Sequence, residues 1–105
     1  MLTLLLLALA GCGATPQITP QDPPLLAALR GDMPPDVSDF IRRAVMCNHW
    51  AGEEAYDEDR HAQIDSAQAS LGCSALDGDQ AALRLRHVGQ AGILGRIEES
   101  RRTPY

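Results

Sequence analysis

DVSDFIRRAVMC, residues 36–47, places Val37, Phe40, Ile41, Ala44 and Val45 at three- and four-residue intervals. On an α-helix those positions form one apolar stripe. Cys47 lies seven residues beyond Phe40 and faces the same side. Met33-Pro34-Pro35 breaks the chain just before this segment, and Asp36 or Ser38 is placed to cap the helix. Trp50 and Gly52 fall near its end.

Shorter helical patterns lie on both sides of it. Upstream, Asp22-Pro23-Pro24 resembles a helix start, with Leu25, Leu26 and Leu29 following and Gly31 as the stop. Downstream, EEAYDED (residues 53–59) reads as a turn entering the next helix, since acidic residues are favoured in a first turn by the helix dipole. Ile64, Ala67 and Leu71 mark that helix's inner face, and Gly72 its end. Asp77 is positioned as the cap of a further helix, with Gln80 as its capping-box partner and Leu76 stapling onto Ala81. Ala81, Leu85 and Val88 make its expected stripe, and His87 is expected on its surface. Residues 91–101 give a weaker helix with Ile93, Leu94 and Ile97. No segment alternates with period two. The expected fold is all-α: a small bundle of three to four short helices over residues 22–101, with a frayed tail at 102–105.

The chain is acidic, with a formal net charge of -5, and 4% of its residues are aromatic. An acidic surface argues against a nucleic-acid partner. Every basic residue is arginine. With no lysine, a Walker-type phosphate loop, a Schiff base and a pyridoxal enzyme are all excluded. No nucleophile elbow and no His-Glu-x-x-His is present. The sequence therefore reads as a non-enzyme with no catalytic residues and no cofactor.

The first residues read MLTLLLLALAGC. The apolar run Leu2–Leu9 has the length of a secretory signal core and is far short of the roughly 20 residues needed to span a bilayer. Leu9-Ala10-Gly11-Cys12 resembles the lipobox of bacterial lipoproteins. The resemblance implies that residues 1–11 are a cleaved signal, that Cys12 becomes the acylated first residue, and that the membrane is a partner through this anchor. Gly13 in place of an aspartate resembles the pattern of outer-membrane lipoproteins facing the periplasm. No Lys or Arg precedes the apolar run, which marks either a weak signal or a start upstream of Met1. Removing eleven residues leaves 94, enough for one small domain. Residues 12–21 are polar and proline-spaced and read as a flexible tether with a reach of roughly 20 Å.

With Cys12 assigned to lipid, Cys47 and Cys73 remain. Outside the cytosol that pair reads as a disulfide; the alternative is a redox-active or metal-bound thiol pair. A strictly side-by-side antiparallel hairpin sets these two cysteines at opposite ends. The bridge therefore requires a bend, a steep crossing or shorter helices.

CNHWAGEEAYD, residues 47–57, holds the densest set of chemically versatile side chains. It resembles a CNH-x-x-GEE-x-YD pattern of small bacterial lipoproteins and exported proteins that also carry a cysteine after a Leu-Gly step, here Leu71-Gly72-Cys73. The resemblance implies a shared fold and no activity. His49, Glu53, Asp57, His61 and Asp65 recur every fourth residue. On one continuous helix they would line up as ligands for a divalent metal, with His49, Glu53, Asp57 and His61 as the set. The competing reading is a solvated acidic turn, because Gly52 interrupts the helix. Trp50 and Tyr56 read either as interface anchors or as lids on a thin core. The leading functional expectation is a lipid-anchored envelope module that binds an envelope protein or ligand; the alternative is a metal-binding or metal-sensing envelope protein.

Overall fold

A computed structural model describes residues 23–104. The signal at 1–11, the tether at 12–21, lipidation at Cys12 and a capping role for Asp22 lie outside the described residues. The described chain is all-helical: α1 (Pro24–Arg30), α2 (Pro35–Ala51), α3 (Glu58–Leu71), a 3₁₀ turn (Cys73–Ala75), α4 (Leu76–Arg86) and α5 (Ala91–Arg102). The expected all-α bundle with one disulfide is observed, drawn as five helices rather than three to four.

Proline starts the first two helices. Both have Pro in the first turn, where its fixed φ suits the helix and its missing N–H is not needed. Pro23 and Pro34 occupy the cap positions and supply no side-chain acceptor. Asp36 and Ser38 are therefore not caps. Asp36 sits inside the first turn of α2, and Ser38 Oγ accepts from Arg30 Nε at 2.9 Å. α3 has a side-chain cap: Asp57 Oδ1 accepts from the Arg60 backbone N–H at 2.7 Å. α3 ends on Gly72 at φ 65, a left-handed conformation that glycine adopts without a Cβ penalty. The 3₁₀ turn carries the chain directly into α4, so Leu76 is its first residue and Asp77 lies inside it rather than capping it. Gln80 turns away from the cap, hydrogen-bonding Glu98 and Arg101 of α5.

α2 is the axis of the bundle and packs on every other element. Its stripe Val37, Phe40, Ile41, Ala44, Val45 and Cys47 is buried as the spacing predicts. Leu26 and Leu29 from α1, Leu76 and Leu83 from α4 and Ile97 from α5 close over it in one cluster. α4 departs from expectation. Leu85 is 78% exposed and Val88 75%, whereas Leu76, Leu83 and His87 are buried. The buried face runs 76, 83, 87 rather than 81, 85, 88.

Side chains from other helices complete three helix ends. Arg96 Nη1 donates to the carbonyls of Ala28 and Leu29 at the end of α1. Arg43 donates from Nε to Leu71 O and from Nη2 to Gly72 O at the end of α3. Asn48 Nδ2 lies 3.1 Å from each of the Ser100, Arg101 and Thr103 carbonyls at the end of α5. Terminal carbonyls have no partner within their own helix. Forked donors meet them in pairs, a task for which the guanidinium is well shaped.

The Cys47–Cys73 disulfide forms, with Cα atoms 5.7 Å apart. α3 meets the conflict over its geometry by an offset crossing. Arg43 of α2 touches Gly72, and Trp50 touches Arg60. Seven residues of α2, about 10 Å of axis, thus face twelve residues spanning the length of α3, about 18 Å. The end of α3 therefore returns to the middle of α2, beside Cys47.

Candidate functional site

The junction of α2 and α3 gathers most of the residues singled out by sequence. His49 Nε2 lies 3.3 Å from Glu53 Oε1, one helical turn on. The other Glu53 oxygen accepts from Arg60 Nη2 at 2.9 Å. The Arg60 guanidinium stands over the Trp50 ring at 5.3 Å, and the His49 ring meets Trp50 edge-on at 5.5 Å. Glu53 thus bridges an imidazole and a guanidinium, and the guanidinium is stacked on the indole. Arg60 Nη1 also donates to Gln63 Oε1.

The four-residue series does not converge. α2 stops at Ala51 and α3 starts at Glu58, so Gly52 and the acidic turn separate the series into two helices. Asp57 is committed to capping α3, and His61 faces its own helical neighbour Asp65 at 3.3 Å, both exposed. Among the described residues, no group of three or more His, Cys, Asp or Glu side chains is placed to hold a metal ion. Tyr56 is 74% exposed and is not a lid on the core. Trp50 is half-buried and forms one wall of a shallow open groove of about 530 Å³. The floor is the flank of α3, where Asp59, Ala62, Ser66 and Ser70 follow one another up the helix.

A second cluster lay outside the sequence expectations. His87, expected on a surface, is 9% exposed at the end of α4, with Nε2 3.0 Å from Asp36 Oδ2. Arg86 Nη1 donates to the same oxygen at 2.9 Å. These two hydrogen bonds, Arg86 first, hold the Asp36 carboxyl down at about 2. An ionised carboxylate only accepts, so His87 Nε2 carries the proton in this contact. The signal was present in the sequence: His87 is four residues past Leu83, which is seven past Leu76. The capping roles of Arg43, Asn48 and Arg96 carry no such signal, because a contact with the end of another helix has no local spacing.

No described helix is long and apolar enough to cross a membrane. Compared with known families, with curated proteins and with solved structures, the chain matches none.

Proposed function

We propose that this protein is a lipid-anchored module of the bacterial cell envelope, held at the outer membrane on its periplasmic side, that works by binding another envelope component. The Cys47–Cys73 bridge carries the reading. A structural disulfide suits a compartment outside the reducing cytosol. It also uses two of the three cysteines, leaving Cys12 at the end of Leu9-Ala10-Gly11-Cys12 for the lipid. Two or three acyl chains on that residue give stable anchoring, where one is marginal. The half-buried Trp50 beside an open groove supports a binding role, because indole rings at the edge of a cleft are frequent interface anchors.

Mass spectrometry of the protein extracted from membranes tests the anchor. The expected amino-terminal peptide begins at Cys12 and carries diacylglycerol and acyl mass, and Cys12→Ser leaves the chain out of the membrane fraction. An uncut chain without added lipid, found inside the cytosol, overturns the proposal.

A further inference from the structure

The formal charge of -5 is not spread over the molecule. Between residues 53 and 65 six carboxylates face one arginine, and in the remainder eight carboxylates are matched by eight arginines. The whole excess therefore sits on the connection between α2 and α3 and on the first half of α3, beside the Trp50 groove. Several of these acids have local work: Asp57 caps α3, Glu53 holds Arg60, and Asp65 pairs with His61. Glu54, Glu58 and Asp59 are exposed and have no ion-pair partner among the described residues. Local roles do not cancel the field, which projects from this one end of the groove.

The floor of the groove is a second, independent feature. Ala62, Ser66 and Ser70 are four residues apart and therefore stack along one side of α3. A row of small side chains at that spacing forms a channel into which a ridge of another helix fits. From Asp59 to Ser70 the floor runs about three helical turns. Trp50 walls it on the side of α2.

We infer that this groove docks a cationic amphipathic helix of a partner protein. Its apolar ridge lies along Ala62, Ser66 and Ser70 against the indole, and its Lys or Arg residues face Glu54, Glu58 and Asp59. This rests on the binding-module reading proposed above, and names the partner's chemistry.

Trp50 is the single tryptophan, so its fluorescence reports the groove directly. The oxidised full chain is titrated with three synthetic peptides of about five helical turns, roughly 18 residues. One has an Ala/Leu face and a Lys/Arg face, one replaces the basic residues with Glu, and one keeps the charge but carries central prolines. The expected result is binding of the first at least about tenfold tighter than of either control. That affinity should fall about tenfold as ionic strength rises from low to well above physiological, as exposed charges are screened. Ser66→Tyr, at an exposed position, fills the channel without touching the core and should weaken binding about tenfold while the thermal midpoint holds. Equal binding of the proline peptide means charge attraction alone and overturns the inference, as does indifference to Ser66→Tyr. Self-association of the chain through the groove, in place of peptide binding, overturns it too. If a photo-crosslinker at Leu85 on α4 captures an envelope protein while no peptide moves Trp50 fluorescence, the binding module stands and the groove is rejected. If the cationic helix binds but Cys12 carries no lipid, the anchor fails and the groove stands.

Discussion

Asp36 is where one residue couples distant parts of the chain. It lies in the first turn of α2 and accepts from Arg86 and from His87, both some fifty positions away at the end of α4. The contact stabilises the ionised carboxylate, whose pKa is lowered from 3.8 to about 2. A depressed folded-state value means that the stabilisation is complete above 3.8 and is lost as the pH falls toward 2. Asp36→Asn is expected to lower stability at neutral pH by about 1–2 kcal/mol, since it removes a charge-assisted contact to a nearly buried imidazole. Urea midpoints at pH 7 and at pH 2.5 check the sign: the gap between variant and wild type should narrow at the lower pH. A gap that stays constant removes Asp36 as its source. Asn48 makes a comparable case without charge. Its amide has two hydrogens shared among three carbonyls. Asn48→Ala should cost about 1–2 kcal/mol and speed hydrogen exchange in the last turn of α5, with α1 unaffected.

α3 is the least embedded of the longer helices. Ile64 is its only buried residue and stands apart from the main core cluster, to which Leu71 and Cys73 attach at the far end. The disulfide, the Arg43 fork and the Glu53–Arg60–Trp50 group are what hold it to α2. Replacing Cys47 and Cys73 with alanine should therefore loosen α3 first. The chain-entropy model gives about 3–4 kcal/mol for a loop with a sequence separation of 26. Hydrogen exchange is the check: protection should fall in α3 well before it falls in α2 and α5. Gly72→Ala tests the same junction by another route. Its φ is +65, and a Cβ there would stand 3.0 Å from Arg43 Nη2. About 1 kcal/mol of backbone cost is expected, plus any loss of the Arg43 contacts. This element also marks the limit of what the sequence conveys. The α2 stripe, the inner face of α3 and the glycine stops are legible because periodicity is local. The phase of α4 is legible only in part, because two stripes at helical spacing compete, 81, 85, 88 and 76, 83, 87, and the second is the one buried, with His87 inward in place of Val88. The candidate site is legible as a set of residue types in CNHWAGEEAYD. Its split into a stacked Arg60 group and an exposed His61 pair depends on the break at residues 52–57, which no four-residue count registers.

At the scale of the whole molecule, the question is whether the proposed anchor and the bundle depend on each other. Among the described residues, every member of the buried cluster lies between Leu26 and Ile97. The ties that close the fold also fall within that span or just beyond it: Arg96 to α1, Arg43 to α3, and Asn48 to α5 as far as Thr103. The described residues close the fold among themselves, so the proposed anchoring at Cys12 and folding should separate. Cys12→Ser is expected to move the chain from the membrane fraction to the soluble one. Its thermal midpoint should stay within the scatter of a neutral surface change, about 0.5 kcal/mol. The Cys47–Cys73 bridge should still resist alkylation until reductant is added, provided the chain is still exported. Loss of the bridge in exported Cys12→Ser, or a midpoint several degrees lower, would show that attachment to the membrane is part of how this bundle is built.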